Sequence, residues 1–267
     1  MMARRLDAAM AAMGLVPSRE QAARLIRDGQ VMVNGVVTNR PSTQIDEDAK
    51  VEITGGQLPF VSRGGLKLQR ALEVFPVHLD GYVCADIGAS TGGFTDCMLQ
   101  HGAVKVYAID VGTGQLHPSL LEDARVVNME KTNIRDLPPD AIQPLDFVST
   151  DVSFISLKHV LPVIYRLLKE GGEAVVLVKP QFEAGRGNVG KKGVVRDPKI
   201  HLQVLRDVLR YAAESGLGVT GADYSPVRGP EGNIEYLYLL RKDLPASVGD
   251  NALQQLVTAA HQALDRR

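Results

Sequence analysis

From Tyr82 onward, apolar runs of strand length alternate with amphipathic runs of helix length, and this alternation constrains the fold more than any other feature of the chain. Strands are expected at 82–87, 104–110, 125–129, 145–150 and 173–179, with helices ending near 101 and spanning 157–169 and 199–215. Strand, helical crossover and strand in succession build a parallel sheet covered by helices on both faces. The last two strands, at about 217–223 and 234–240, are separated only by residues 224–232. That segment is too short for a helical crossover, so these strands must pair antiparallel. An amphipathic helix over 252–264 completes the pattern. The expected fold class is α/β, a mostly parallel sheet whose last strand runs against the others.

Ligands of such sheets bind at the carboxyl ends of the parallel strands. The first strand ends there in Asp86-Ile87-Gly88-Ala89-Ser90-Thr91-Gly92-Gly93-Phe94, followed by a helix expected from about Thr95 to His101. Small side chains let the backbone approach a ligand closely, and the free N–H groups of the helix point to the same place. Gly88, Gly92 and Gly93 do not fit the G-x-G-x-x-G dinucleotide fingerprint. Instead, Asp86 at the first strand end and Asp110 at the second offer carboxylates to a cationic amino group and to ribose hydroxyls. S-adenosylmethionine carries both groups and is the expected cofactor. Its expected contacts are Asp86, Gly88, Ala89, Ser90, Thr91, Gly92, Gly93, Phe94 and Asp110, with Asn133, after the third strand, near the adenine.

Three more ionisable residues fall on the same edge. Asp151 ends the strand at 145–150, Lys179 ends the strand at 173–179, and Glu235 opens the antiparallel strand. Lys67, in a helix running to about Val74 ahead of the first strand, could cover the same crevice. Any one of these reads as a solvated strand-end charge; four arriving together point to proton chemistry.

Residues 1–55 have a different character. A helix is expected over 4–13, with Leu6, Ala9, Met10 and Met13 on one stripe, and a second begins at the cap Ser18, carries Ala22, Leu25 and Ile26, and stops at Gly29. Strands at 31–33 and 36–37 flank Asn34-Gly35, a strong hairpin signal, and 51–53 supplies a third strand. The expected organisation is a small α+β domain at 1–55, a linker at 56–61 and a large domain at 62–267. Residues 1–45 hold six arginines (Arg4, Arg5, Arg19, Arg24, Arg27 and Arg40) against three acids and no lysine. The guanidinium fork suits bidentate phosphate contacts. Residues 179–199 form a second basic stretch, glycine-rich and placed over the crevice, that suits a phosphate backbone.

The net charge of -1 therefore says little about a nucleic-acid partner, since local basic faces coexist with acidic surface elsewhere. Cys84 and Cys97 have neither metal-ligand nor disulfide-framework spacing, so no metal is expected and a reducing compartment is. The apolar start is broken by Asp7 and no run approaches the ~18 apolar residues of a membrane span. A cytoplasmic protein without a membrane span is expected.

Two motif sets resemble known families. Leu6-Asp7, Ser18-Arg19-Glu20-Gln21-Ala22, Leu25-Ile26, Gly29 and Val31-Met32-Val33-Asn34-Gly35 resemble the S-four-like RNA-binding domain. Lys67, Asp151, Lys179 and Glu235 resemble the Lys-Asp-Lys-Glu tetrad of FtsJ-like ribose 2'-O-methyltransferases. The whole chain resembles the TlyA family, which joins these two domains and also carries the older name hemolysin. The resemblance rests further on Ser62-Arg63-Gly64-Gly65-Leu66-Lys67-Leu68, Asp110-Val111-Gly112-Thr113-Gly114-Gln115-Leu116, Thr150-Asp151-Val152-Ser153-Phe154 and Leu177-Val178-Lys179-Pro180-Gln181-Phe182-Glu183. It implies a Rossmann-like methyltransferase sheet preceded by the S-four-like domain, and S-adenosylmethionine-dependent methylation of a ribose 2'-hydroxyl, of cytidine, in ribosomal RNA or ribosomal subunits. Lys67, Asp151, Lys179 and Glu235 would be catalytic; Arg4, Arg5, Arg19, Arg24, Arg27, Arg63, Lys191 and Lys192 would meet RNA.

The implied chemistry is consistent with the residues. A ribose 2'-hydroxyl is a poor nucleophile at neutral pH, so a base must take its proton during attack on the methyl group. Lys67 and a sulfonium would disfavour charge on Lys179, while Asp151 and Glu235 would oppose that effect; Lys179 is the expected base, with the choice between the lysines left open by sequence. Base N-methylation fits worse, because Asp151-Val152-Ser153-Phe154 stands where Asn/Asp-Pro-Pro-aromatic is common, and cytosine C5 methylation needs a cysteine that no strand end provides. A reading from another class, a hemolysin-like membrane-active or RNA-binding protein with a vestigial methyltransferase domain, calls for a membrane segment or a lost tetrad position, and the sequence has neither.

Overall fold

The computed structural model describes all residues except 1–3, 17, 28, 35, 47–48, 54–58, 139 and 265–267. The chain parts into two compact units, residues 1–63 and 64–267. The linker expected at 56–61 falls partly outside the described residues.

In the larger unit, consecutive apolar residues give strands covered on both faces, as parallel sheets require. Helix α3 (Gly64–Val74) precedes strand β6 (Val83–Ile87), α4 (Gly93–Gln100), β7 (Lys105–Ile109), α5 (Pro118–Leu121) and β8 (Val126–Met129). Then follow β9 (Leu145–Thr150), α6 (Leu157–Leu167), β10 (Leu168–Val178), α7 (Pro180–Glu183), α8 (Pro198–Glu214), β11 (Leu217–Tyr224), β12 (Tyr236–Lys242) and α9 (Asp250–Leu264). The five strands from β6 to β10 run parallel in the order β10-β9-β6-β7-β8. Strand β12 inserts between β10 and β11 and is antiparallel to both, so the expected closing hairpin is present. Its core joins Val148, Val176 and Tyr238 from the sheet with Leu161, Ile164, Leu205 and Val208 from the helices.

The small unit opens with β1 (Arg4–Arg5) and α1 (Leu6–Ala12), followed by α2 (Arg19–Arg27), β2 (Val31–Val33), β3 (Val36–Val37), β4 (Gln44–Ile45) and β5 (Val51–Ile53). Strands β2 and β3 form the expected antiparallel hairpin, with β5 on the other side of β2; Gly35 of its turn lies outside the described residues. Ser18 caps α2 as expected, accepting from the Gln21 N–H at 3.1 Å. Leu6, Met10, Ala22, Ile26 and Val31 pack into one small core.

Several boundaries differ from expectation. Arg4 and Arg5 are not helical; they pair with Ile45 and Gln44, and Leu6 N–H donates to Thr43 O at 2.8 Å, a long-range partner that local periodicity cannot reveal. Helix α4 starts at Gly93 rather than Thr95, because the Asp86 carboxylate accepts from Thr95 N–H at 2.9 Å and so supports its first turn. Helix α6 stops two residues early and β10 follows without a loop, taking Gly171 and Gly172 into an irregularity between Leu168 and Glu173. Glu235 stands just before β12 rather than inside it.

Candidate active site

The sheet register assembles the four ionisable residues. Val178 pairs with Tyr236, so Lys179, the next residue of one strand, stands beside Glu235, the preceding residue of its antiparallel neighbour. Asp151 follows β9, which lies next to β10. Helix α3 buries Gly65, Lys67, Leu68 and Ala71, and Arg70 ties it to Asp223 of β11 at 2.8 Å; this face directs Lys67 inward. Lys67 Nζ donates to Glu235 Oε2 at 2.7 Å and to Asp151 Oδ2 at 3.2 Å. Lys179 Nζ forms an ion pair with the other oxygen of Asp151 and donates to Ser153 Oγ at 3.2 Å.

Lys67 and Lys179 are each 8 % exposed and Glu235 1 %. Buried charges persist only when paired, and here two cations meet two anions. Burial opposes the charge on Lys67, but Asp151 and Glu235 outweigh it and raise its pKa above the ordinary lysine value. Burial likewise opposes ionisation of Asp151, but Lys67 and Lys179 outweigh it and hold the carboxyl below its usual range.

Residues around the quartet fix it in place. Gln181 Nε2 donates to Glu235 Oε1 at 3.3 Å, while its own Oε1 is a buried acceptor without a hydrogen-bond partner among the described residues. At Gly229 a Cβ would stand 2.6 Å from Glu235 Oε1, so a larger residue there would push that carboxylate from its place. Glu183 accepts from Ser156 Oγ at 2.7 Å and from Leu157 N–H at 2.8 Å, latching the segment after β9 to α7. Phe154 is 92 % exposed with φ 64 and its ring lies 5.0 Å from that of Phe182, which in turn lies beneath Lys179 Nζ. A bulky residue held in the left-handed region is strained, and strain of this kind gathers at functional sites. In the sequence Ser153, Phe154, Gln181 and Phe182 stand out only as parts of motifs; no periodicity or charge pattern marks them.

The turn after β6 divides into parts. Gly88 (φ +84) faces the backbone of Asp151, where a Cβ would stand 2.8 Å from its carbonyl oxygen, so the β6 and β9 turns meet at the point where strand order reverses. Ser90 and Thr91 form the exposed tip, with Ala89, Gly93 and Phe94 buried behind them. Gly92 faces Leu116 and Leu120 rather than the crevice. Asp110 accepts from Ser90 N–H at 2.8 Å and from Gly112 N–H at 2.7 Å and stays half-exposed at the mouth. Asn133 caps the short helical turn Ile134–Asp136, accepting from Arg135 N–H at 3.1 Å. Backbone that approaches closely at Gly88, with Asp110 at the rim, fits a nucleoside cofactor.

Asp86 is turned inward. It is 1 % exposed, and its Oδ2 accepts from Thr95 N–H at 2.9 Å and Thr95 Oγ1 at 2.7 Å. Burial pushes its carboxyl up to about 7, against the two hydrogen bonds from Thr95. A carboxyl whose folded pKa exceeds its unfolded value contributes stability that is full below about pH 4 and is lost as pH rises through about 7. Asp86→Asn, which keeps an acceptor for Thr95 but cannot titrate, should therefore gain on the parent by up to a few kcal/mol between pH 4 and pH 8. Thermal melts of both proteins across that range check this, and parallel profiles would contradict it.

Lys191 and Lys192 are exposed on a turn closed by Gly190 N–H to Val194 O at 3.1 Å. Buried Asn233 accepts from Val195 N–H at 3.0 Å and donates to Gly193 O at 2.9 Å, fixing that turn two residues from Glu235. His201 also contacts Val195 O at 3.0 Å and the Tyr236 hydroxyl at 2.7 Å. In the small unit Arg4, Arg5, Arg19, Arg24 and Arg27 are exposed, and Arg63 is half-buried in the turn before α3. Cys84 and Cys97 are fully buried, and burial raises both thiol pKa values, that of Cys84 to about 12, so neither is a nucleophile at this edge.

Fold and site together define an FtsJ-like methyltransferase: the profile of that family matches residues 60–242, and that of the S4 domain matches residues 4–51. The chain is 44% identical over 262 residues to the 16S/23S rRNA (cytidine-2'-O)-methyltransferase TlyA of Mycobacterium tuberculosis (strain ATCC 25618 / H37Rv), covering 97% of each chain. It is 41% identical to hemolysin A of Brachyspira hyodysenteriae, covering 87% of this chain and 98% of that one. A solved Streptococcus thermophilus protein, provisionally named a hemolysin, superposes with a TM-score of 0.80 at 44% identity, covering 100% of this chain and 98% of that one. The chain belongs to the TlyA family.

Proposed function

We propose that this protein transfers a methyl group from S-adenosylmethionine to the 2'-hydroxyl of a cytidine in ribosomal RNA. The observation that carries the reading is the ion-paired quartet Lys67, Asp151, Lys179 and Glu235, the lysines and Glu235 buried, at the carboxyl edge of the sheet beside the turn at Gly88. The cofactor supplies a sulfonium methyl group open to in-line attack. Asp110 would take its ribose hydroxyls, Ser90 and Thr91 its amino-acid end, and Asn133 its adenine; Asp86 serves by holding the turn. Lys67, with two acid partners, stays charged. Lys179, whose acid partner is Asp151, stands where it can accept the proton of the 2'-hydroxyl. Exposed Phe154 offers a ring face on which the target base can stack.

Residues 1–55 dock the RNA through Arg4, Arg5, Arg19, Arg24 and Arg27, the linker at 56–61 follows, and residues 62–267 carry out the chemistry, with Arg63, Lys191 and Lys192 on the phosphate backbone. A ribosomal substrate puts the protein in the cytoplasm. The names of the relatives support both the ribosomal substrate and the cytidine. Among the described residues no helix is long and apolar enough to cross a membrane.

Methyl transfer from radiolabelled cofactor to purified subunits, deproteinised RNA and small hydroxylated metabolites tests the reading; label confined to small molecules or absent from all three would sink it. Asn233→Ala releases the turn bearing Lys191 and Lys192 and should raise the KM for RNA several-fold with cofactor affinity unchanged by calorimetry. An unchanged KM would remove that turn from the RNA interface.

A further inference from the structure

The small unit places an acid among its arginines. Asp7, the second residue of α1, is only 4 % exposed. Its Oδ1 accepts from Arg5 Nε at 3.1 Å and from Ala8 N–H at 2.8 Å, and its Oδ2 accepts from Arg5 Nη2 at 2.8 Å. Arg19 Nε, from the first residue of α2, lies 3.3 Å from the same Oδ2. One carboxylate thus holds two guanidinium groups that come from different elements.

The way it holds them matters. Arg19 approaches Asp7 through Nε and Arg5 donates to it through Nε and Nη2, and both side chains remain about half exposed, at 58% and 45%. Among the described residues no other acceptor engages Arg5 Nη1 or the Nη groups of Arg19. These remaining N–H groups, on two guanidinium groups joined by one carboxylate, suit the oxygens of a phosphate. The pair carries two positive charges against one negative, so the cluster keeps a net positive charge. Asp7 stays ionised at neutral pH, since the Arg5 hydrogen bonds, helped by Arg19, pull its carboxyl down to about 2 against the effect of burial.

We propose that Asp7, although an acid on an RNA-binding face, strengthens RNA binding by holding Arg5 and Arg19 as a preformed clamp for one backbone phosphodiester. A free arginine gives up much side-chain freedom when it seizes a phosphate, and a clamp already ordered in the unbound protein gives up little. The opposing effect, repulsion between Asp7 and the phosphate, is weakened by the two guanidinium groups lying between them and by salt. The inference rests on the RNA-docking reading of residues 1–55.

Charge counting and pre-organisation predict opposite signs for Asp7→Asn, and filter binding of the full chain to deproteinised ribosomal RNA at fixed salt separates them. Removing a negative charge from an RNA-binding face should tighten binding; loss of the clamp should weaken it, and we expect a loss of roughly tenfold. In an Arg5→Lys/Arg19→Lys background, which keeps both charges but has no fork to hold, Asp7→Asn should no longer weaken binding. A purely structural ion pair would instead lower the melting temperature and weaken binding equally in both backgrounds, overturning the proposal. So would unchanged or tighter binding by Asp7→Asn in the parent. Should Asp7→Asn fail to fold, Arg5→Lys/Arg19→Lys decides: a comparable loss supports the clamp and parental affinity overturns it. Arg5→Ala/Arg19→Ala tests the underlying reading separately, because parental RNA affinity there would show that residues 1–55 do not dock RNA through this face.

Discussion

Replacing Lys179 with alanine is expected to lower single-turnover methyl transfer by at least a hundredfold while cofactor and RNA affinities stay near those of the parent. General-base assistance contributes about a hundredfold to ten-thousandfold, and Lys179 is the quartet lysine with the single acid partner. The fold should tolerate the change, because Asp151 keeps its hydrogen bond from Lys67. Arginine separates a base from electrostatic support: it retains the positive charge but does not release a proton in a protein. Lys179→Arg should therefore be as slow as Lys179→Ala. Single-turnover rates at saturating RNA and cofactor measure both, and a near-parental rate for Lys179→Arg would move the base role to Lys67 or to solvent.

Lys67→Met should have a different signature, losing stability as well as activity. Lys67 is the link between Asp151 and Glu235, with a side chain only 9% exposed. Its removal leaves Glu235 with Gln181 as its neutral partner and brings two acids together without the cation between them. Breaking a buried ion pair by removing one member costs about 3–5 kcal/mol. In a unit of this size that lowers the melting temperature by roughly 10 °C. Calorimetric melts alongside methyl-transfer rates check the contrast. If Lys67→Met melts like the parent, the quartet is not the stabilising cluster its geometry indicates.

Much of this architecture could be read in the sequence because the signals were local. The segment 224–232 is too short for a crossover, and that alone required the antiparallel pairing of β11 and β12; the meeting of Lys179 with Glu235 comes from the insertion of β12 beside β10. Strand-end acids were legible as the residue where an apolar run stops. What the sequence did not reveal depends on partners far away in the chain. Arg4 and Arg5 look like the start of a helix until Gln44 and Ile45 pair with them. Asp86 reads as an open strand-end acid, and its hydrogen bonds from Thr95 appear only in the folded chain. Gly92 has the spacing of a ligand turn but accommodates Leu116 and Leu120. Gln181, Gly229 and Asn233 are ordinary residues whose importance comes from facing Glu235 or the turn behind it. Asp7 was visible in the sequence as an interruption of an apolar stretch and as a motif position, with no sign of its partners; in the folded chain it joins two arginines.

The central claim is that the methyl group goes to a ribose oxygen of cytidine in ribosomal RNA. The most direct measurement incubates ribosomal subunits with the protein and methyl-deuterated S-adenosylmethionine, digests the RNA to nucleosides and fragments each labelled nucleoside by mass spectrometry. The account predicts that the deuterated methyl stays with the ribose fragment of cytidine, is lost with Lys179→Arg, and makes the adjoining phosphodiester resistant to alkali, since a 2'-O-methyl group removes the nucleophile that cleaves it. Deuterium retained on a base fragment, or a parental level of ribose label with Lys179→Arg, would contradict it.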